Sequence, residues 1–496
     1  MEVSDSPRQF KRGLGLLDST MIVIGSMIGS GIFIVSAEIS RTVGSAGMLM
    51  LVWLVTGVVT VIGALSYGEL AGMMPHAGGQ YVYLREAYNP LVGFLYGWTL
   101  FLVIQTGTIA AVVVAFAKFA SVLVPALGES NTLISVGNLN VSAAQVLAIA
   151  IIVVLTGVNL RGLREGKFVQ NLFTSTKTLA LVGLIVLGIF VGRNPDAIAA
   201  NLSNFWSASW THMDGAKVGS VESLSGMILL AAIATSMVGS LFSSDAWNNI
   251  TFTAGEVIDP RRNIPLSLAL GTGTVTILYL LANVAYILVL PVSGNPGAGD
   301  AIGRGIQFAA SDRVGVAAAS QIFGASAAVI MAILIMVSTF GCANGLILAG
   351  ARVYYAMAKD GLFFTKAGTL NGHSVPGWAL VVQAVWASML CLSGTYNDLL
   401  DYVIFSVLIF YALTVAGIFI LRKKRPEAER PYKAFGYPAV PALYVLAASA
   451  IAVDLLIFKT QYSGAGLGIV LLGIPVYYIW GRSEMNRAGR GSFQND

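Results

Sequence analysis

Gly25-Ser26-Met27-Ile28-Gly29-Ser30-Gly31-Ile32-Phe33 lies in the middle of an apolar run, 14–35, that is too long and too hydrophobic for an ordinary buried helix. Positions 25–31 hold three glycines and two serines, and each Gly costs a helix interior about 1 kcal/mol against Ala. In a membrane span that composition lets the helix break. A break at bilayer depth is tolerated only where the freed N–H and C=O groups find protein, water or ligand. Gly25 and Gly29 are also four apart, the spacing of a close helix–helix packing face. The stretch therefore reads as packing or as a site. Gly239-Ser240-Leu241-Phe242-Ser243-Ser244-Asp245-Ala246-Trp247 repeats the pattern in the second half of the chain. Two Gly/Ser-interrupted apolar segments at corresponding places point to the binding site of a transporter.

The composition agrees. Hydrophobic residues make up 56% of the 496 residues, charged residues only 11%, against about 25% charged in a soluble domain. Mean hydropathy is +0.77. The chain reads as a polytopic membrane protein, and its net charge of +5 reflects topology and not nucleic-acid binding. Cys342 and Cys391 lie in apolar runs, and His76, His212 and His373 are scattered, so neither a disulfide framework nor a metal cluster is expected. No cofactor is expected. No cleavable signal pattern precedes the first run.

Apolar runs bounded by charged or turn residues predict twelve spans, near 14–37, 46–74, 91–124, 142–160, 168–192, 224–255, 264–291, 315–358, 376–394, 397–421, 438–458 and 463–481. With the N-terminus inside, twenty Lys and Arg fall in inside segments and seven outside, a strong bias by the positive-inside rule. Both termini are expected to be cytoplasmic. Residues 78–88, rich in aromatics and charge, read as a short interfacial helix. The interrupted first and sixth runs each open a group of five. An odd number of spans inverts the second group, which gives the inverted repeat of the LeuT-type fold. The expected architecture is an all-α, twelve-helix single transporter domain with broken helices 1 and 6. Its repeats are 14–192 and 224–421, followed by two extra helices at 438–481.

The run 25–33 resembles the G-x-x-x-G-S-G-I-F signature of amino acid permeases of the amino acid–polyamine–organocation (APC) superfamily. Met74-Pro75-His76-Ala77-Gly78-Gly79-Gln80-Tyr81 is similar to their second-to-third-span signature, 242–248 to their sixth-span motif, and 350–364 to the end of their eighth span. Lys177, in Phe168-Val169-Gln170-Asn171-Leu172-Phe173-Thr174-Ser175-Thr176-Lys177, resembles the fifth-span lysine of the L-type amino acid transporter branch. The resemblance implies a sodium-independent amino acid transporter, often an exchanger, from a prokaryotic member of that branch, in the cytoplasmic membrane. Animal transporters of the branch carry an outer cysteine joined to a glycoprotein partner. Residues 124–141 contain no Cys, so no disulfide-linked heavy subunit is expected. The chain is expected to act as a monomer in the lipid bilayer.

A carrier of zwitterions must answer one carboxylate and one ammonium, and a broken helix offers N–H groups for the first and C=O groups for the second. The N–H groups of Gly29, Ser30 and Gly31 are expected to meet the carboxylate. The carbonyls of Met27, Ile28, Phe242 and Ser243 are expected to face the ammonium. The resemblance makes Phe242 an outer gate, and Ser244 and Asp245 complete the second segment, with Asp245 as a cap or coupling residue. A lysine some ten residues into a span is costly and functional by default. Its ammonium is expected to bond the carbonyl region of Gly25 or Ser26 and the hydroxyl of Ser338 or Thr339, in place of a sodium ion. A proton-carrying role for Lys177 is the alternative. Gly57, outside any motif, is expected to tolerate Ala. The leading expectation is alternating-access exchange of small or medium neutral L-amino acids. The alternatives are a proton-coupled symporter or a permease of cationic amino acids or amines. No selectivity-filter motif supports a channel, and no catalytic constellation supports an enzyme.

Overall fold

The computed structural model describes residues 10–136, 139–215, 217–392 and 396–491. Ten helices among them are long and apolar enough to cross a membrane. In chain order, the helices that organise the molecule begin with α1 (Leu16–Met27), α2 (Ser36–Val43), α3 (Ala46–Met73), α4 (Gln80–Ala87) and α5 (Pro90–Leu123). They continue with α6 (Ala143–Leu160), α7 (Leu163–Phe190), α8 (Gly226–Ser243), α9 (Asn249–Phe252) and α10 (Pro260–Val289). The rest are α11 (Val314–Phe323), α12 (Ala325–Lys359), α13 (Gly377–Cys391), α14 (Tyr396–Lys424), α15 (Ala439–Phe458) and α16 (Thr460–Gly491).

Two of the twelve expected spans fall short of a full crossing. The first run gives α1, twelve residues, then a break and α2. The ninth gives α13, fifteen residues. The eighth run divides at Gly324, whose φ of +72° is open to Gly at little cost. The fold is helical but not all-α: small antiparallel hairpins, Thr132–Val136 with Leu139–Ser142 and Ser209–Asp214 with Lys217–Ser223, cross two connecting loops. The starts are capped as their sequences direct. Asn89 accepts the Val92 N–H at 3.0 Å ahead of Pro90, and Ser142 with Gln145 forms a capping box.

The expected interfacial helix forms as α4, but it is not superficial: Gln80, Tyr81, Tyr83 and Leu84 are buried. Its connector is forced inward by contact with α9. Gly78 N–H donates to Phe252 O at 3.1 Å, and a Cβ at Gly79 (φ +41°) would lie 2.2 Å from Thr251 Oγ1. Only Gly fits there. At the far end of α4, Arg85 pairs with Asp360 and Glu86, and Arg425 also pairs with Glu86. Burial alone would raise the Glu86 pKa. Hydrogen bonds from Arg425 and Arg85 outweigh it and hold the carboxyl below its ordinary value.

Helix α1 packs between α7, α10 and α12. Its lead-in is tied to the stretch after α9: Gly13 and Leu14 donate to Glu256 O at 2.9 and 3.0 Å, and Ile258 N–H donates to Leu14 O at 2.9 Å. The Glu256 carboxylate in turn accepts from Arg352 of α12 at 3.0 and 3.4 Å, with both side chains almost fully buried. Breaking a buried pair from one side costs about 3–5 kcal/mol because a bare charge remains. Arg352→Met should therefore lower the thermal unfolding midpoint in detergent sharply, and Arg352→Met with Glu256→Gln should recover much of the loss. Equal destabilisation of the two variants would show that the charge pair is not what holds this corner.

Candidate functional site

The first break begins where Ile28 turns extended (ψ 93°) after α1. Ser30 returns to the helical region, Gly31–Phe33 forms one 3₁₀ turn, and α2 starts at Ser36. A helix end leaves its last four carbonyls without partners. One is met locally, by Ile28 N–H on Ile24 O at 2.9 Å. The others are met by side chains from outside. Lys177 Nζ donates to Gly25 O at 2.5 Å and to Ile28 O at 2.6 Å. Cys342 Sγ donates to Ser26 O at 3.0 Å, and Tyr279 OH lies 3.0 Å from Met27 O. Beyond the helix end, Ser338 Oγ lies 3.2 Å from both Ile28 O and Gly29 O.

These donors come from polar residues placed on one face of each surrounding helix, at the three- and four-residue spacings that share a face. On α7, Gln170, Thr174 and Lys177 face α1. Thr174 Oγ1 donates to Met21 O at 3.3 Å, and a Cβ on Gly25 would meet Gln170 Nε2 at 2.0 Å. On α10, Tyr279, Asn283 and Tyr286 reach Met27 O, Ser36 Oγ and Ile32 O. On α12, Ser338 and Cys342 complete the ring. Lys177 is 1% exposed, so its ammonium is held in the interior by backbone oxygens, with Ser338 O a third at 3.4 Å. Among the described residues no cluster of three His, Cys, Asp or Glu side chains could hold a metal ion.

The N–H side of the break differs. Gly29 and Gly31 are buried, and their N–H groups meet no acceptor among the described residues. Orphaned buried N–H groups are rare in folded proteins.

The second break follows α8. Ser244 caps the helix, and Ala246 takes φ +65° before α9 begins at Asn249. Tyr411 OH of α14 donates to Asp245 Oδ1 at 2.6 Å. Asn248 Nδ2 donates to Gln80 Oε1 at 2.8 Å, and Gln80 Nε2 to Thr414 Oγ1 at 3.0 Å. The π turn of α5, Leu100–Ile104, borders the same region, as such turns often do at functional sites. Cavities of about 10 and 20 Å³ flank Asp245, each about the room of one water, so the conformation is closed around it. The two breaks touch: a Cβ at Gly31 would lie 2.0 Å from Ser243 Oγ.

The structure thus gathers Met27, Ile28, Gly29, Ser30, Gly31, Ser243, Lys177 and Ser338, and it revises several contacts. Lys177 takes Ile28 O in addition to Gly25 O, and the Ser338 hydroxyl donates to the same break without accepting from the lysine. Thr339 Oγ1 turns back to Ile335 and Met336 of its own helix at 2.9 and 3.0 Å. Of the carbonyls expected to face an ammonium, Met27 O and Ser243 O share the one Tyr279 hydroxyl proton, 3.0 Å from each, and Phe242 O accepts the Asp245 N–H at 3.2 Å. Phe242 is buried at 8% exposure. Gly25 serves packing against α7 as well as the break. Gly57 is no neutral position, since its Cβ would meet Thr276 Cγ2 at 2.4 Å. Sequence reading missed Tyr279, Asn283, Gln80 and Tyr411. The spacing of polar residues along one face of an apolar run was the available signal for the first two.

The amino acid permease family profile matches residues 14–478. The mouse (Mus musculus) large neutral amino acids transporter small subunit 2 is 30% identical over 95% of this chain and 81% of its own length. The human (Homo sapiens) Asc-type amino acid transporter 1 is 28% identical over 95% of this chain and 82% of its own. The rabbit (Oryctolagus cuniculus) b(0,+)-type amino acid transporter 1 is 27% identical over 87% and 80%. With a family match along nearly its whole length and the broken apolar helices described above, the chain is a multi-pass membrane transporter, not an enzyme, and belongs to the amino acid permease family of the APC superfamily.

Proposed function

We propose that this permease is a sodium-independent exchanger of small and medium neutral L-amino acids, working by alternating access in the cytoplasmic membrane with both termini inside. We read its helices as a LeuT-type 5+5 inverted repeat of twelve spans, 14–192 and 224–421, with two further helices at 438–481. The observation that carries the reading is Lys177, whose ammonium occupies carbonyls of the first break and of α12, the kind of oxygen set that would otherwise suit a small cation. A fixed charge there removes the need for a coupling ion. The unpaired N–H groups of Gly29 and Gly31 supply the acceptor-seeking side for a substrate carboxylate, with Ser30 between them. The substrate ammonium faces the carbonyl region of Phe242 and Ser243. Phe242 closes the site from outside, and Ser244 and Asp245 shape the second segment. Asp245 is engaged by Tyr411, which favours a neutral over a cationic substrate. Both cysteines are buried and unpaired, which supports a chain that acts without a disulfide-linked heavy subunit.

In proteoliposomes, replacing external sodium with choline should leave amino acid uptake unchanged, while omitting internal amino acid should abolish most of it. Steep sodium dependence, or full uptake into empty vesicles, would overturn the exchanger reading.

Lys177→Ala leaves Gly25 O without a donor in the interior and Ile28 O with only the shared Ser338 hydroxyl, at about 1–3 kcal/mol for an unsatisfied group. Transport should fall at least about tenfold while the protein still elutes as a folded species. Wild-type exchange in this variant would show that the lysine plays no part in coupling.

Gly31→Ala should abolish substrate binding for two separable reasons, the clash with Ser243 and the obstruction of the N–H groups. Adding Ser243→Gly relieves the clash and should restore thermal stability but not affinity. Gly183→Ala, which meets nothing within 4 Å, should leave both unchanged. If Gly31→Ala/Ser243→Gly binds amino acid normally, the carboxylate is recognised elsewhere.

A further inference from the structure

Between the lead-in to α1 and the first turns of α7, at the end the charge tally assigns to the cytoplasm, a cavity of about 960 Å³ opens to the surface. Among the described residues, four cations line it: Lys11, Arg12, Arg161 and Lys167. Lys167 is engaged, 2.6 Å from Asp18 and 3.1 Å from Gly13 O. The other three are exposed, and none meets an acidic group or hydrogen-bond acceptor among the described residues. Glu256, the acid at the cavity wall, is already committed to Arg352. One flank is apolar: Phe168 and Leu172 of α7 are 68% and 51% exposed. They lie on a helix with only a third of its membrane-crossing window buried, so that flank is continuous with the surface that faces lipid tails.

A cationic mouth beside an exposed apolar wall matches one ligand chemistry. A phosphodiester takes the cations and an acyl chain covers Phe168 and Leu172. Free inorganic phosphate would satisfy the charges but gain nothing from the wall. Basic pockets of this kind at the cytoplasmic ends of membrane helices suit anionic headgroups. We propose that this cavity binds the headgroup of an anionic glycerophospholipid of the inner leaflet. The assignment to that leaflet rests on the orientation adopted above. The bound phosphate shares Lys167 with Asp18, and Asp18 sits in the first turn of α1. Headgroup occupancy is thereby linked to the half-helix that ends in the first break.

Binding can be measured without transport, so the outcome does not depend on the exchanger reading. The purified full chain in detergent should retain one phosphatidylglycerol by native mass spectrometry and bind it more tightly than phosphatidylcholine. The triple variant Lys11→Gln/Arg12→Gln/Arg161→Gln should lose at least about tenfold in that affinity, since each cation near a lipid surface contributes a several-fold factor. Lys423→Gln/Lys433→Gln, which removes one exposed cation from the last turn of α14 and one from the connection after it, should retain it. Phe168→Ser/Leu172→Ser should weaken phosphatidylglycerol binding as well. Equal retention of the two lipids, an unaffected triple variant, or full competition by millimolar inorganic phosphate with no effect of the Phe168 and Leu172 changes would each overturn the lipid assignment. The last outcome would identify a soluble-anion site.

Discussion

A helix that stops in the middle of a bilayer must hand its last carbonyls to donors that the bilayer cannot provide. In this permease that constraint is met by Lys177, Cys342 and Tyr279, each from a different helix, with Ser338 serving the carbonyls just past the end. The order of packing around α1 follows from it. Helices α7, α10 and α12 must lie close enough to deliver these side chains, so their facing surfaces carry polar residues where an ordinary span would carry Leu. Gly25 permits the approach of α7 by having no Cβ to oppose Gln170 and Thr174. The same glycine that weakens the helix lets its neighbour repair it.

The two ends of the break are treated unequally, and the inequality has a chemical meaning. Its carbonyl side is met by side-chain donors from three helices, Lys177, Tyr279 and Cys342. Its N–H side keeps unmet donors at Gly29 and Gly31. Unmet N–H dipoles thus gather at one buried place, without an ionised side chain exposed to solvent. The second break is braced differently, through Asn248 to Gln80 and through Asp245 to Tyr411, so α4 and α14 are its supports. Contact between the breaks runs through Gly31 and Ser243.

Much of this was legible in the residues. Helix-breaking Gly and Ser inside apolar runs located both interruptions, and a lysine deep in a span announced a partner because burying an unpaired ammonium is so unfavourable. The Lys177 bond to Gly25 was anticipated. Its bond to Ile28, and the inward turn of Thr339, were not, because a hydroxyl at either of two adjacent helical positions can fold back onto its own i−4 carbonyl. The burial of α4 was missed for a related reason. Aromatic and charged residues suit both a membrane interface and a polar seam between helices. Only the contact between Gly79 and Thr251, made far along the chain, selects the seam. The small hairpins in the loops carry little apolar pattern to betray them.

Tyr279 presents one hydroxyl proton to two carbonyls, Met27 O and Ser243 O, each 3.0 Å away and each belonging to a different broken helix. A single proton can serve one acceptor at a time, so the bond is a swivel between two equal positions. If either half-helix swings away, the proton passes to the acceptor that stays, and no hydrogen bond is lost at this residue in the exchange. One hydroxyl thus bridges the two broken helices without favouring either by distance.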